Sequence, residues 1–197
     1  MQLHLISSSL IFTFLTGCAG VGIMYSSDPY QKLNNATVLY KQENRPLAAN
    51  RLIKEVIDTC EQSKDQKCLA NAWVTYGYLL RSESAAQWEN EYGKGAFPAD
   101  RYDQSATYFG KAATTLIELK AYGNAANAYL DQAASYELAN RTTEACASYL
   151  KTLDPFNKNY DQFLTNHPDA KPYAPPGYTS YEEMIKAERK RIGCKAQ

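Results

Sequence analysis

Few side chains in this sequence have the types and spacing that catalysis requires. Beyond the N-terminal segment the one histidine is His167, which precedes a proline and has no second imidazole with which to share a metal ion or a proton. The Gly93-Lys94-Gly95 run lacks the length of a phosphate-binding loop, and no Gly-x-Ser-x-Gly elbow occurs. Glu89 and Glu91 lie on a polar segment, where the burial that catalytic carboxylates need is not expected. We therefore expect no catalytic activity, no metal and no cofactor, and a carboxylate-based cell-wall hydrolase is a distant alternative.

The N-terminal segment has the pattern of a targeting signal. An apolar run from Leu10 to Leu15 is too short to span a bilayer and has the length of the apolar region of a secretory signal. The run ends in Leu15-Thr16-Gly17-Cys18, which resembles the bacterial lipobox, where a diacylglycerol is attached to the cysteine and the chain is cleaved just before it. The sequence departs from the usual pattern because no Lys or Arg precedes the apolar run, only His4.

The lipobox resemblance implies that residues 1–17 are removed and that Cys18 becomes a lipidated N-terminus, with residues 18–27 as its tether. Ala19 stands where an aspartate usually retains such proteins in the inner membrane, so the resemblance implies an outer-membrane location facing the periplasm. Several acyl chains on one residue anchor a protein stably, whereas a single chain is marginal. The alternative is an ordinary signal peptide in which Cys18 is incidental.

Four further cysteines predict two disulfide bonds, because the periplasm is an oxidising compartment. We favour Cys60–Cys68 because a polar stretch between these residues is typical of a turn between two helices. We favour Cys146–Cys194 because it would fasten the last helix to the body. Three pairings are possible, and a four-cysteine zinc site is a weaker alternative because the usual close cysteine pairs are absent.

The composition indicates one globular helical domain. The chain has 197 residues, and 45% of them are apolar. The charges of its 21 basic and 21 acidic side chains cancel, so we do not expect it to bind nucleic acid. From residue 28 apolar residues recur at helical spacing and β-branched alternation is scarce, which predicts an all-α fold. The six helices predicted within 28–155 cover 30–42, the region of Leu52 to Cys60, that of Leu69 to Leu80, that of Ala106 to Ile117, 122–139 and 142–153.

The segment 128–155 alternates large and small residues in a way typical of a helical repeat. Large aromatic rings and small alanines recur on two successive helices, at Tyr129, Ala133, Tyr136, Ala145 and Tyr149. Between the helices Asn140 stands where a left-handed turn residue is needed. This segment resembles one tetratricopeptide unit, although Pro155 stops it two residues early.

The tetratricopeptide resemblance implies a right-handed stack of helical hairpins within 28–155. Trp73, Tyr76 and Leu80 resemble the first helix of a second unit, whose second helix lies near Ala106 to Leu119, and Tyr30 to Cys60 resembles a degenerate first unit. An irregular helical bundle is the alternative, because small and large residues also alternate in bundles.

An insertion at 84–100 separates the third and fourth predicted helices. Its length is typical of a functional loop, and its large rings are candidates for binding a partner, namely Trp88, Tyr92 and Phe97. The alternative is that the rings fold back as a lid over the core.

The region 156–197 is predicted to be a proline-rich loop followed by a C-terminal helix. The pattern from Thr179 to Glu182 is a capping box that opens this helix. Basic residues crowd its end, at Lys186, Arg189, Lys190, Arg191 and Lys195. Such a run is usually a solvated face, and contact with anionic lipid or with an acidic partner is the sharper interpretation.

Stacked helical pairs form a groove that normally binds another protein. The sequence therefore predicts a membrane-anchored adaptor or scaffold without catalytic activity, whose partner belongs to the envelope machinery. The alternative is an immunity lipoprotein that neutralises a periplasmic toxin, such as a lipid-cleaving secretion-system effector.

Overall fold

Helices account for all regular secondary structure in the parts of the chain that the structure describes. A computed structural model describes residues 26–93, 95–171 and 173–195. The signal segment, Cys18 and most of the tether lie outside these residues. The helices are α1 (Pro29–Lys41), α2 (Pro46–Ser63), α3 (Gln66–Leu80), α4 (Glu83–Tyr92), α5 (Arg101–Glu118), α6 (Tyr122–Leu138), α7 (Thr142–Lys151), α8 (Leu153–Asn166) and α9 (Tyr181–Arg191). The predicted all-α fold is confirmed.

Short left-handed turns join successive helices. Lys64, Lys120 and Asn140 have φ angles of 56°, 58° and 58°, so the prediction for Asn140 is confirmed. After Asn140 the backbone N–H of Arg141 donates to the Tyr136 carbonyl at 2.8 Å, which satisfies a carbonyl that the end of α6 would otherwise leave free. After Lys120 the backbone N–H of Ala121 donates in the same way to the Leu116 carbonyl, at 2.8 Å. Because these turns are so short, α2 and α3, α5 and α6, and α6 and α7 pack as antiparallel neighbours.

The antiparallel order continues across the insertion, because α3 packs directly against α5. The Ser105 hydroxyl on α5 donates to the Gly77 carbonyl on α3 at 2.8 Å. The Arg101 guanidinium at the start of α5 donates to the Leu80 carbonyl at 2.6 Å. The core forms three apolar clusters along this order, one around α1, α2 and α3, one between α3, α5 and α6, and one where α6, α7, α8 and α9 meet.

Both predicted disulfide pairings are confirmed. Cys60–Cys68 joins the end of α2 to the start of α3, and Cys146–Cys194 joins α7 to the residues after α9, each with a Cα–Cα distance of 5.7 Å. The first is fully buried, whereas the second is half-buried. One disulfide therefore closes the hairpin between α2 and α3, and the other closes the 48 positions that separate Cys146 from Cys194.

The insertion was predicted as a loop, and that prediction is wrong for Glu83–Tyr92, which forms α4. The Ser82 side chain accepts a hydrogen bond from the Ala85 N–H at 3.2 Å and so caps the helix. No glycine or proline then interrupts the segment until Gly93, and alanine, glutamate and glutamine favour the helix. The insertion is thus a helix followed by a short loop. No helix in the described ranges is long and apolar enough to cross a membrane.

The loop predicted after Pro155 is also wrong for the residues of α8. Pro155 lies in the first turn of α8, where a missing N–H removes no bond from within that helix. Thr152, between α7 and α8, keeps helical backbone angles (φ −70°, ψ −28°), so the chain bends there and does not unwind. Extended chain begins only after α8.

The approach of α3 to α5 depends on a glycine, and we expect Gly77→Ala to destabilise the fold. A Cβ at Gly77 would lie 2.8 Å from the fully buried Phe109 ring, which has no room to move. Overpacking of this kind costs about 1–3 kcal/mol, more than the roughly 1 kcal/mol that alanine gains over glycine in a helix.

Gly123→Ala is the matched control for this prediction. Its Cβ would meet the Asn159 amide at 2.9 Å, but Asn159 is exposed and can swing away. Urea denaturation of both variants measures the difference. Equal effects of the two substitutions would contradict the close approach of α3 and α5.

Candidate interaction groove

The residues predicted to pack the repeat lie at helix contacts. Ala133 and Ala145 are fully buried, and Tyr149 is nearly so, with its hydroxyl donating to Glu137 at 2.5 Å. Tyr129 and Tyr136 are half-buried. The small residues are therefore in the interior, and Ala133 packs in the third apolar cluster with Tyr149.

The three rings predicted to bind a partner through the insertion have different environments. Phe97 is 3% exposed and belongs to the first apolar cluster, so the prediction that it binds a partner is wrong. Trp88 is half-buried against the same cluster, and Tyr92, 68% exposed, stacks on Trp88 with ring centroids 4.3 Å apart. A salt bridge of 3.2 Å between Glu89 and the buried Arg101 fastens α4 to α5. The insertion covers the core, and of its rings only Tyr92 is largely free.

A recess lies where the ends of α1 and α3 meet the start of α4. Its volume is about 530 Å³. Tyr40 and Lys41 line it from α1, Tyr78 and Arg81 from the end of α3, and Ser84 from α4. The Lys41 ammonium lies 5.7 Å from the centre of the Tyr78 ring. The walls thus carry two aromatic rings and two cations, together with neutral polar side chains and the carboxylate of Glu83.

A second recess of about 220 Å³ lies between α3 and α6 and shares Tyr78 with the first. Three asparagine side chains line it, Asn71 on α3 and Asn124 and Asn127 on α6. The two asparagines of α6 are exposed. We call these two adjoining recesses the α1–α3–α6 groove. Asparagine amides both donate and accept hydrogen bonds, as the peptide groups of another chain do.

Tyr78, Arg81 and Asp131 form a network that holds the wall between the two recesses. The Tyr78 hydroxyl donates to Asp131 Oδ2 at 2.5 Å, and Arg81 pairs with the same carboxylate. Arg81 also donates to the Asp131 backbone carbonyl at 3.1 Å, and its guanidinium lies 4.9 Å from the Tyr78 ring centre. The side chains of Arg81 and Asp131 are only 19% and 18% exposed. A mostly buried ion pair therefore joins the end of α3 to α6 in the groove wall.

The Tyr78 hydroxyl and the Asp131 carboxylate are both engaged within this network. Burial raises the pKa of Tyr78, and its hydrogen bond to the Asp131 carboxylate raises it further, so the phenol stays protonated at neutral pH. The Asp131 carboxylate is occupied by Arg81 and Tyr78. No group of three or more His, Cys, Asp or Glu side chains suited to a metal ion occurs in the described ranges. The groove offers amides, rings, cationic side chains and the carboxylate of Glu83.

Sequence reasoning missed Tyr78, Arg81 and Asp131. Tyr78 and Asp131 are 53 positions apart, and each is an ordinary helical residue in its own segment. Helical spacing places Tyr78 and Arg81 on one face of α3, but no local signal connects them to α6.

The chain was also compared with protein-family models, curated proteins and solved structures, and no match was found in any of them.

Proposed function

We propose that the mature chain is a lipid-anchored scaffold on the periplasmic side of the outer membrane, and that it binds another protein in the α1–α3–α6 groove without catalysing a reaction. The observation that carries this proposal is the groove itself. It runs across three helices, presents the exposed amides of Asn124 and Asn127, and has a wall fixed by the Arg81–Asp131 pair. A surface that is ordered before binding loses little conformational entropy when a partner is bound.

The helical order supports a tetratricopeptide-like stack as the basis of this groove. Antiparallel neighbours follow one another from α1 to α7, with α4 as an insertion beside them. In stacks of helical pairs, one helix of every pair faces the inner surface and contributes side chains to an extended binding site. In this interpretation α1, α3 and α6 are the inner helices of three successive pairs.

Two observations support the proposed location. The lipobox-like Leu15-Thr16-Gly17-Cys18 supplies an anchor, and Ala19 after it fits sorting to the outer membrane. The two disulfides fit an oxidising compartment, because such bonds are rare where thiols are kept reduced. The anchor is tested by mass spectrometry of the mature N-terminus. We expect an acylated Cys18, and a free, unmodified N-terminus would contradict it.

The groove is tested by site-specific photocrosslinking in the producing bacterium. A photoreactive amino acid replaces Asn127 in the groove or, as a matched control, the exposed Asn157 on α8. We expect a discrete protein adduct from position 127 and none from position 157. Asn124→Arg in the same chain should abolish the adduct, because it fills the groove one helical turn away with a charged side chain.

The outcomes distinguish the possible partners. Adducts of equal yield from both positions, or an adduct that survives Asn124→Arg, would contradict binding in the groove. Identification of the adduct by mass spectrometry then separates the two roles predicted from the sequence. If the crosslinked protein is an envelope component, the result supports the scaffold role. If it is a secreted toxin, the result supports the immunity role and contradicts the scaffold role.

A further inference from the structure

A second groove lies between α7 and α9, on a different part of the surface from the α1–α3–α6 groove. Two recesses of about 430 and 520 Å³ adjoin there and share Leu150, Arg189 and Lys195 as lining residues. Leu150 and Leu153, both partly exposed, give the groove an apolar floor above the buried Ile185. The Cys146–Cys194 disulfide also lines it, and this bond holds α9 at a fixed position beside α7.

The rim of this α7–α9 groove is strongly basic. Lys186, Lys190 and Lys195 are exposed, and none of them forms a salt bridge with a described residue. Arg189 also lines the groove, and its Nε is buried without a hydrogen-bond partner in the described ranges. Glu182, at one end, is the one acidic residue that lines either recess.

The remaining basic residue of α9, Arg191, does not line the groove, so the excess of positive charge is confined to the face of α9 that does. Arg191 points away from the groove and pairs with Glu188 and with Glu137 of α6, at 2.7 and 2.9 Å. Its charge is therefore compensated within the protein. Lys186, Lys190 and Arg189 form no such salt bridge with a described residue, and although Glu182 shares the rim, four cations line the groove against this one carboxylate and surround apolar side chains.

We propose that the α7–α9 groove binds an acidic polypeptide segment that carries apolar side chains. Four cations along the groove complement a chain of carboxylates, and the floor of Leu150 and Leu153 accepts the apolar side chains between them. A polypeptide fits better than a membrane surface. The groove is concave, and a flat bilayer would touch the rim lysines without reaching Arg189 or the apolar floor. The proposal is independent of the α1–α3–α6 groove.

The test measures binding of fluorescent peptides to the purified full chain in detergent micelles. One peptide alternates glutamate with leucine, and its control replaces every glutamate by lysine. We expect the acidic peptide alone to bind, and its affinity to fall with added salt because rim charges are screened. Charge reversal with Lys186→Glu and Lys190→Glu should weaken binding on the order of tenfold or more.

The matched control carries Lys54→Glu and Lys67→Glu, which make the same change of charge at exposed positions on α2 and α3. It should bind the acidic peptide as the parent chain does. Equal weakening by both double variants would overturn the proposal, because net charge alone would then explain binding. Failure of the acidic peptide to bind would also overturn it. So would tighter binding to vesicles of equal parts phosphatidylglycerol and phosphatidylcholine that is lost in the Lys186→Glu/Lys190→Glu variant.

Discussion

Removal of the Cys146–Cys194 disulfide, by replacing both cysteines with serine, is expected to lower the free energy of unfolding by about 4 kcal/mol. The two cysteines are 48 positions apart, so the bond closes a long loop and strongly restricts the unfolded chain. Both are half-buried, which lets the serine hydroxyls reach water. Without the disulfide, α9 should still pack against the rest of the protein, because its Ile185 is buried and its Tyr181 ring stacks on Phe156 with centroids 3.7 Å apart.

The Cys60–Cys68 bond provides the comparison. These residues are only 8 positions apart, so the loop contribution of their bond is smaller, about 2.6 kcal/mol. Alanine is the appropriate replacement there, since both side chains are fully buried. Urea denaturation followed by circular dichroism measures both double variants. A loss below about 1 kcal/mol on removing Cys146–Cys194 would show that this bond does not restrict the unfolded chain.

Alkaline pH is expected to unfold the protein through its buried tyrosines. Burial raises the pKa of Tyr76 to about 12, and the neighbouring Tyr108 adds to this effect. The pKa values of Tyr78 and Tyr149 are also raised, by burial and by their hydrogen bonds to Asp131 and Glu137. In the unfolded chain all three ionise near pH 10.

The sign of the pH dependence follows from these values. Above about pH 10 the unfolded chain loses phenolic protons that the folded protein retains, so the free energy of unfolding falls as pH rises. The stabilisation is fully present below that pH. Each such tyrosine contributes a slope of up to about 1.4 kcal/mol per pH unit, and Tyr76 does so from about pH 10 to about pH 12. Tyr78 and Tyr149 act in the same direction, so the loss of stability with rising pH should be steeper than one tyrosine alone would cause.

Urea denaturation at a series of alkaline pH values measures this slope. Tyr149→Phe is the informative variant, because phenylalanine keeps the ring and removes the ionisable hydroxyl that bonds to Glu137. It should be less stable at neutral pH, and it should lose stability less steeply above pH 10. A slope identical to that of the parent chain would mean that Tyr149 ionises normally in the folded protein.

Local signals predicted much of the fold. The pairing of Cys60 with Cys68 followed from the polar turn between them, and Asn140 was identified because a left-handed turn favours asparagine. In both cases the residues that decide the structure are neighbours in the sequence. Helical spacing likewise located α5, α6 and α7.

Predictions failed where distant contacts decide the outcome. Phe97 lies two residues after Gly95 and directly before Pro98, a setting typical of exposed loop residues, yet its ring fills space in the first apolar cluster. Pro155 was expected to end the helical region, but a proline in the first turn of a helix is tolerated. The contact of Tyr78 with Asp131 depends on how α3 and α6 pack, and neither segment encodes that packing by itself.

We expect the exposed residues of α9 to limit self-association. Open-ended association joins surfaces of several molecules head to tail, and an apolar patch favours it. Glu182, Lys186 and Lys190 are exposed on α9, and the neighbouring disulfide holds this helix beside α7. Contact between two copies at this helix would require the dehydration of ionised groups and would bring like charges together, so we expect separate copies to stay apart in concentrated solution.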